Sequence, residues 1–328
     1  MKFDPNAEAS SDGIFGLPYS FEESKLVLLP VPWEATTSYG GGTAKGPQAI
    51  LEASGQVDLF DLELGNFYEA GIFMIKESKQ VKGWAQKAKL SVKKKSSTKE
   101  VNELSFKVND YVYSETKKIL DQGKIAGLVG GDHSTPMGAI QAYVEKYPQL
   151  GILHFDAHAD MRKAYQGYTD SHASIMYNVI SRTKLQKLVQ VGIRDFCEEE
   201  MNFIRSNEGR VFTFFDQRLA EKKFSGVNWE KLCADIVHPL PKEVYISFDI
   251  DGLDPAFCPN TGTPVPGGLS FQEAVFLIQT VVKSGRKIVG FDLNEVAPGR
   301  TVPAATEWDA NVGARLLYKL CGWTLKSN

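Results

Sequence analysis

The chain has 328 residues, 43% hydrophobic and 23% charged, a composition typical of a soluble globular protein with a large buried core. A net charge of -3 and a pI near 6.0 argue against nucleic acid or an anionic membrane as its main partner. No apolar stretch approaches the ~20 residues that span a bilayer, and the polar N-terminus lacks the apolar core of a signal peptide. The four cysteines are widely spaced and form no CxxC pair, so we expect free thiols in a reducing cytoplasm.

Short apolar segments alternate along the chain with longer segments whose apolar residues recur at helical spacing. Most of the short segments are continuous apolar runs, as expected for strands that are covered on both faces. This alternation predicts an α/β fold, with one parallel sheet and helices on both of its sides. The predicted strands are residues 25–32, 71–75, 124–131, 150–158, 187–195, 210–216, 243–252 and 287–296.

Three stretches outside these strands bear on the organisation of the chain. Residues 1–24 form an N-terminal extension, and residues 101–123 are predicted to be a helix that ends at a glycine. Residues 76–100 form a connecting segment rich in Lys and Ser, and we interpret its KKK run as a solvated loop or a helix end. Because this segment separates no two blocks of different composition, residues 1–328 are predicted to form a single domain.

Acidic and imidazole side chains follow four of the predicted strands at their carboxyl ends, where open parallel sheets bind ligands. The motifs are GGDHS after the third strand, FDAHAD at the end of the fourth, FDIDGLDP at the seventh and DLNEVAP at the eighth. Buried carboxylates and imidazoles are costly unless something compensates their charge. Six of these residues are candidate metal ligands: His133, Asp156, His158, Asp160, Asp249 and Asp251.

The spacing of the candidate ligands supports a shared metal site. Side chains two residues apart on a strand point the same way, as do Asp156 and His158, or Asp249 and Asp251. Asp160 keeps that direction only if the extended path continues past the strand end. Six ligands are too many for one tetrahedral zinc and suit two cations that share bridging carboxylates. The oxygen-rich set favours Mn²⁺, with Fe, Co or Ni as alternatives.

Other polar residues near these motifs are expected to have supporting roles. His154 is expected to face away from Asp156 as a hydrogen-bonded structural residue, and His238 is expected to lie on the surface. Asp254, which precedes a proline, is expected to cap a turn. Two further carboxylates are expected to be structural or to support the ligands, and not to bind metal themselves: Asp132 and Asp292.

In these motifs the sequence resembles the ureohydrolases, the arginase and agmatinase family. The matching signatures are GGDHS (130–134), FDAHAD (155–160), SFDIDGLDP (247–255) with GTPVPGG (262–268), and DLNEVAP (292–298). Their order and approximate spacing also match. The resemblance implies a three-layer α/β/α fold with an eight-stranded parallel sheet and two Mn²⁺ ions per chain. It further implies hydrolysis of a guanidino or formimino group, with urea the usual product, by a homo-oligomer that is a trimer or a hexamer.

The resemblance also implies roles for individual residues. The residues implied to hold one metal are His133, Asp156, Asp160 and Asp249. Those implied to hold the other are Asp156, His158, Asp249 and Asp251, so that Asp156 and Asp249 bridge. His172, in the SHAS run, matches the proton-shuttling histidine of the family, a role suited to an imidazole near neutral pH. Glu295 matches the carboxylate that binds the guanidinium group of the substrate.

The substrate is predicted from the segment after DAHAD, MRKAYQGYTDSHAS (161–174). It lacks the Asn and Ser pattern with which arginases bind an α-amino acid, and it is closer to the agmatinase branch. Agmatine is therefore the expected small guanidino substrate, hydrolysed to urea and putrescine. Candidate contacts for its ammonium group are Asp170, Glu307 and the faces of Tyr165 and Tyr168.

Two residues keep other substrates of the same family open. Arg162 would suit a carboxylate, as in guanidinobutyrate or formiminoglutamate, if it pointed into the pocket. Trp308 could narrow the pocket enough to exclude a long tail and leave guanidine itself as the substrate. Arginine would be the substrate if the interpretation of residues 161–174 is wrong.

Two alternatives come from other classes of protein. The first is a metal-dependent deacetylase, which shares a layered fold but binds a single zinc; the complete ligand set, especially His133 with Asp160, argues against it. The second is a binding protein that kept the fold without catalysis. Such a protein would be expected to have lost ligands, and this chain has lost none.

Overall fold

Eight parallel strands form one sheet in the residues that this computed structural model describes, 3–9, 11–37, 40–95, 97–299 and 307–328. The strands are β1 (Leu26–Val31), β2 (Ile72–Met74), β3 (Ile125–Gly130), β4 (Gly151–Phe155), β5 (Lys187–Ile193), β6 (Val211–Phe215), β7 (Glu243–Asp249) and β8 (Lys287–Asn294). Each lies within the segment predicted for it. The order across the sheet is β2-β1-β3-β8-β7-β4-β5-β6, and every neighbouring pair is parallel.

Helices cover both faces of the sheet, because the strands carry buried apolar side chains on both faces. On β7, for example, Ile246 and Phe248 join one apolar core and Tyr245 joins the other. The helices are α1 (Gly46–Ser54), α2 (Lys79–Lys93), α3 (Thr98–Asp121), α4 (Met137–Lys146), α5 (Ile175–Arg182), α6 (Glu198–Ser206), α7 (Asp216–Phe224), α8 (Trp229–Val237), α9 (Phe271–Lys283) and α10 (Trp308–Ser327). Helix α1 and helices α7 to α10 pack on one face, and helices α2 to α6 pack on the other. The predicted three-layer α/β/α fold is confirmed.

The Lys-rich segment 76–100 is largely helical. Helix α2 begins after Ser78, whose side chain caps the helix by accepting from the backbone N–H of Val81. Val81 and Ala88 are buried, and the helix packs against α3. The KKK run begins at Lys93, the last residue of α2, so the prediction of a helix end is confirmed. Residues 79–93 of this segment therefore form an amphipathic helix that belongs to one of the outer layers.

The four strands that carry the motifs are neighbours at the centre of the sheet, in the order β3, β8, β7, β4. Their register is level near the carboxyl ends, where Leu293 pairs with Val129 on one side and with Phe248 on the other. Phe248 in turn pairs with Phe155 of β4. Residues that follow these four strands therefore meet at one place.

Two expectations from composition also bear on the fold. All four cysteines are free thiols, as predicted. Within the described residues, no helix is both long enough and apolar enough to cross a membrane.

Candidate metal centre

Four buried side chains, here named the deep group, converge after β3, β4 and β7: His133, Asp156, Asp160 and Asp249. Nδ1 of His133 lies 3.0 Å from Oδ2 of Asp156, 3.2 Å from Oδ2 of Asp249 and 3.4 Å from Oδ2 of Asp160. The residues come from distant parts of the sequence, and the strand order brings them together. Four of the six predicted ligands thus surround one point.

A hydrogen-bond chain determines which nitrogen of His133 faces the carboxylates. Nε2 of His133 lies 3.0 Å from Oγ of Ser247, and this hydroxyl donates to Oδ1 of Asp292 at 2.9 Å. Since Ser247 gives its proton to Asp292, it accepts from Nε2 of His133. In its neutral form His133 then presents the lone pair of Nδ1 to three carboxylate oxygens, an arrangement that favours a cation between them.

The other two predicted ligands join Asp156 in a second cluster, here named the shallow group: Asp156, His158 and Asp251. Nδ1 of His158 lies 3.1 Å from Oδ2 of Asp251 and 3.4 Å from Oδ1 of Asp156. Asp156 therefore turns one oxygen toward each group, which fits the bridging role that the resemblance implies. Both carboxylates that are implied to bridge also accept a backbone N–H on Oδ1, Asp156 from His158 at 2.6 Å and Asp249 from Asp251 at 2.9 Å, so both bridging roles stay predictions.

Asp160 reaches the deep group by a turn and not by an extended path. Its φ is 54°, in the left-handed region that side chains other than glycine rarely adopt. The carbonyl of Asp160 accepts from the backbone N–H groups of Met176 and Tyr177 at 3.0 and 3.1 Å. The first turn of α5 thus holds the bend in place. The extended path therefore does not continue past the strand end, yet the carboxylate points at His133.

His154 was expected to face away from Asp156, and this expectation is wrong. The two residues are two positions apart and share a face, with Nε2 of His154 2.8 Å from Oδ2 of Asp156. Nε2 of Gln190 donates to the carbonyl of Ala159 at 2.8 Å and lies 3.1 Å from Nδ1 of His154. Because a carbonyl only accepts, that Gln190 nitrogen is a donor and Nδ1 is the acceptor. His154 therefore carries its proton on Nε2 and donates to Asp156, which makes it a support of this carboxylate, hydrogen-bonded as predicted.

The protonation of the two groups follows from burying several carboxylates together. Burial and a neighbouring carboxylate raise the pKa of Asp160 and of Asp249 well above the ordinary value. Burial alone would lower the pKa of His133 and of His158, but the carboxylates around them outweigh burial and raise both. All four shifts show that the arrangement favours added positive charge, which a proton or a metal ion can supply. The residues therefore fit a pair of divalent cations.

Glu295 follows β8 and leaves one carboxylate oxygen without a partner. Its Oε1 accepts from the backbone N–H of His133 at 2.9 Å, and its buried Oε2 has no hydrogen-bond partner among the described residues. Burial and the charge of Asp249 raise the pKa of Glu295 well above its usual value. A buried, unpartnered carboxylate oxygen is suited to a charged donor such as a guanidinium group.

An open cleft of about 270 Å³ leads to the shallow group, and His172 lines it. Nδ1 of His172 lies 3.3 Å from Oγ1 of Thr36. Burial, with a contribution from the nearby His158, lowers the pKa of His172 to about 4. The imidazole is therefore neutral at neutral pH, next to the predicted ligands.

Arg162 also lines the cleft, in a wall that carries more negative than positive charge. Its guanidinium lies 5.2 Å from the centre of the Tyr165 ring, and its Nε lies 3.6 Å from Oε2 of Glu200. Glu200 is buried and accepts two backbone N–H groups as well. Asp195 has a side chain that is 67% exposed, and its distance to Nε2 of His158 is 4.0 Å. Among the described residues no side chain donates a hydrogen bond to Asp195. Its carboxylate is therefore available to a donor from a ligand in the cleft.

Two residues predicted to contact the substrate tail do not line this cleft, and those predictions are corrected. Asp170 is buried and accepts from Nη1 of Arg182 at 2.6 Å and from Nδ2 of Asn109 at 3.1 Å, so its charge is compensated within the fold. Trp308 begins α10, is 51% exposed and donates from Nε1 to the carbonyl of Ala256 at 2.8 Å. An exposed indole anchored in this way does not narrow the cleft.

Asp292 supports a candidate ligand, since it accepts from the Ser247 hydroxyl that lies beside His133, whereas Asp132 is structural. Asp132 accepts from the backbone N–H of Ala35 at 3.1 Å, next to the deep group. Asp254 accepts from the backbone N–H of Ala256 at 2.8 Å and so caps the turn as expected, and His238 is exposed. Glu307, an alternative contact for the substrate tail, instead caps α10 at its first turn.

Several residues of the site were missed in the sequence. Ser247 lies two residues before Asp249, so period-two spacing on β7 carried a signal for it. Thr36, Gln190, Asp195 and Glu200 come from elements outside the four motifs. Their roles depend on tertiary contacts, and the local sequence carries no signal for them.

Comparisons with known proteins agree with this geometry. The profile of the arginase family matches residues 24–322. The chain belongs to the arginase family. It is 35% identical over 304 residues to the N(1)-aminopropylagmatine ureohydrolase of Thermus thermophilus, which covers 92% of this chain and 91% of that protein. It is 31% identical over 313 residues to the agmatinase of Bacillus anthracis, with 91% of each chain covered.

Solved structures share the fold of this arginase-family chain. The crystal structure of the agmatine ureohydrolase of Thermoplasma volcanium matches with a TM-score of 0.74 at 24% identity, over 98% of this chain and 95% of that one. As a family member, the chain is a metal-dependent hydrolase of the C–N bonds of linear amidines, in a family that depends on a dinuclear metal site. The match, together with a complete ligand set, favours this assignment over a single-zinc deacetylase or a non-catalytic binding protein.

Proposed function

We propose that this ureohydrolase acts on agmatine or its close derivative N(1)-aminopropylagmatine, releasing urea and an amine with the help of two Mn²⁺ ions. The observation that carries the proposal is the unpartnered Oε2 of Glu295 beside a cluster in which Asp156 serves two metal-binding groups. The relatives that are at least 30% identical include enzymes named for both substrates. The preference for Mn²⁺ rests on a donor set dominated by carboxylate oxygens.

The deep and shallow groups would each hold one cation, with Asp156 between them. When bound, such a pair lowers the pKa of a water molecule toward neutrality and so supplies a nucleophile for the guanidinium carbon. His133 would keep its Nδ1 lone pair aimed at the deep site through its bond to Ser247. His154 would keep the carboxylate of Asp156 in position by donating to Oδ2.

Glu295 and His172 would act on the substrate itself. Glu295 would accept guanidinium N–H groups at Oε2, while the backbone bond to Oε1 keeps the carboxylate oriented. A bound guanidinium also compensates a carboxylate whose pKa burial raises. The departing amine needs a proton when the C–N bond breaks. The neutral imidazole of His172 would take that proton from the attacking water and pass it to the amine, and since Thr36 lies beside Nδ1, Nε2 is the nitrogen placed to carry it.

The charges in the cleft support a substrate with a cationic tail. Arg162 stacks on Tyr165 and has its charge offset by Glu200, which makes it a poor site for a carboxylate. Asp195 is a carboxylate at the cleft without a donor among the described side chains. An ammonium group at this place would gain a partner, whereas the carboxylate of guanidinobutyrate would be repelled.

The test is urea release by Mn²⁺-loaded protein from agmatine, N(1)-aminopropylagmatine, 4-guanidinobutyrate, arginine and guanidine. We expect kcat/KM for one of the two amines to exceed that of the other three by at least about tenfold. Preference for guanidinobutyrate that is lost in Arg162→Met would instead make Arg162 a carboxylate site. Urea from none of the five compounds would overturn the proposal.

A single variant tests the tail contact. Asp195→Asn should raise KM for agmatine by about two- to fivefold, a small effect because the side chain is exposed and screened. KM for guanidine, which has no tail, should not change. Equal changes for both compounds would show that Asp195 acts on the cluster and not on the tail.

The homo-oligomer, trimer or hexamer, remains a proposal from the family resemblance, and a cytoplasmic location remains a proposal from the widely spaced cysteines. Light scattering tests the first. A stable particle with the 36.3 kDa mass of one chain would rule out the oligomer.

A further inference from the structure

Glu34 connects two parts of the chain that are far apart in sequence: helix α2 and residues 40–44, here named the Gly-rich loop. Its side chain is 3% exposed. Oε2 of Glu34 accepts from the backbone N–H groups of Gly42 at 2.9 Å and of Ala44 at 3.1 Å. Its other oxygen, Oε1, lies 2.6 Å from Nζ of Lys89 on α2. One buried carboxylate therefore ties the loop to the helix.

The Gly-rich loop in turn contacts the wall around Glu295. The backbone N–H of Gly40 donates to the carbonyl of Gly262 at 2.8 Å. Gly262 lies close to the unpartnered oxygen of Glu295, because a Cβ added at Gly262 would be 3.4 Å from Oε2. The adjacent Thr261 donates from Oγ1 to the carbonyl of Glu295 at 2.8 Å. Two short contacts thus link the loop to the residue proposed to bind guanidinium.

The residues that follow Glu34 connect the same segment to other parts of the site. The backbone N–H of Ala35 donates to Asp132, and Thr36 lies beside His172. Three consecutive residues therefore contact three different parts of the site: the Gly-rich loop, Asp132 and His172. Of the three, Glu34 also contacts an outer helix, through Lys89 of α2.

The charge on Lys89 matters because Glu34 is buried. Burial alone would raise the pKa of Glu34, but Lys89 and the two backbone donors outweigh burial and lower it. Without Lys89 the carboxylate would keep, among the described residues, its two backbone partners. Other lysines of α2 pair elsewhere: Lys82 with Glu77, and Lys87 with Glu100.

We propose that the Glu34–Lys89 ion pair positions the Gly-rich loop against Gly262 and thereby shapes the guanidinium-binding wall. Among the described residues, α2 contributes no side chain to the cleft, so Lys89 acts through Glu34 as a positioning residue. This rests on the proposed function in one respect, that Glu295 binds the guanidinium group. It gives the Lys-rich helix a role in substrate binding.

Lys89→Met tests the proposal, because it removes the charge and keeps most of the aliphatic stem. We expect KM to rise on the order of tenfold for agmatine and for guanidine alike, since the loop shapes the end that both share. We expect kcat and metal content to stay within about twofold, since the ligands lie after β3, β4 and β7 and do not touch the loop. Glu34→Gln should behave similarly. Lys89→Arg should restore KM, and Lys82→Met, on the same helix, should leave it unchanged.

Hydrogen exchange at the amides of Gly42 and Ala44 tests the anchor without any substrate. Exchange should be at least about tenfold faster in Lys89→Met than in wild type, and unchanged in Lys82→Met. Unchanged exchange in Lys89→Met overturns the anchor. Faster exchange with an unchanged KM overturns the link to substrate binding. If wild-type protein hydrolyses no guanidino compound, the proposed function fails while the exchange result still decides on the anchor.

Discussion

The deep and shallow groups share Asp156 but lie in different surroundings. In the deep group His133 is 1% exposed, and its second nitrogen is held by Ser247. In the shallow group His158 is 24% exposed, and its second nitrogen is 4.0 Å from the exposed Asp195. The deep half is therefore enclosed and fixed by hydrogen bonds, whereas the shallow half meets the cleft. In the proposed function, the deep half would bind its metal ion rigidly and the shallow half would be accessible to the substrate.

Asp156→Asn should have the largest effect, because Asp156 belongs to both halves. We expect both metal ions to bind weakly and kcat to fall by at least about 10³-fold. Asp251→Asn should cost less, since it removes a ligand from the shallow half alone. Metal analysis and urea release measure both effects. Asp254→Asn is the matched control, because asparagine can also cap the turn and the residue lies outside both groups.

Equal losses of activity and of bound metal in Asp156→Asn and Asp251→Asn would contradict the distinction between the deep and shallow groups. Equal losses would mean that Asp156 does not serve two ions. The division into two groups would then have no functional meaning.

Glu295→Gln should come next in size and should separate substrate binding from metal binding. The change keeps the shape but removes the charge that pairs with a guanidinium, so kcat/KM should fall by about 10²-fold. Metal content should stay at the wild-type level, because Glu295 lies outside both groups. A loss of metal in this variant would show that Glu295 is itself a ligand.

The convergence of the six candidate ligands could be predicted because the signal of each is local. Strand-end position and period-two spacing depend on nothing beyond a few neighbouring residues, as the Asp156 and His158 pair shows. Asp160 shows where local reasoning ends, because its direction depends on a left-handed bend held by α5. Asp170 shows the same limit, because it was predicted to contact the substrate but is paired within the fold. Its partner Arg182 lies on the next helix, and nothing in the local sequence indicates that the two side chains will pair.

Metal removal should destabilise the protein more as pH rises from about 6.5 to 8.5. In metal-free protein the folded pKa values of four residues are raised above their unfolded values: Asp160, Asp249, His133 and His158. These residues would therefore stay protonated in the folded state at pH values at which they lose their protons in the unfolded state. The folded state then binds more protons than the unfolded state, so stability is lost as pH rises. Thermal melting with and without a chelator measures the effect.

The pH window follows from the groups that act in the opposite direction. His172 and His154 have lowered pKa values, so they make the metal-free protein more stable as pH rises, but only up to the ordinary histidine value of about 6.5. The folded pKa of Asp156 is lowered below its ordinary value, so its change lies at more acidic pH. A chelator effect on the melting temperature that shrinks above pH 6.5 would contradict this account.

Gln190→Leu should have a smaller effect than the preceding changes, because it acts on Asp156 indirectly, through His154. The change removes the donor that keeps the proton of His154 on Nε2, so the support of Asp156 weakens and metal affinity should fall by about tenfold. Gln279→Leu is the control, since Gln279 is also buried but lies on α9 and donates to Glu63. The ¹⁵N chemical shifts of His154 would show the change of tautomer directly. A His154 that carries its proton on Nδ1 in the wild type would refute this reading.

The central claim is that one shared carboxylate holds two metal sites of different enclosure. Elemental analysis of Mn²⁺-loaded wild type and of Asp251→Asn, after gel filtration to remove loose metal, tests it most directly. We predict two ions per chain in the wild type and about one in Asp251→Asn, retained in the deep group. One ion or fewer per wild-type chain would contradict the account.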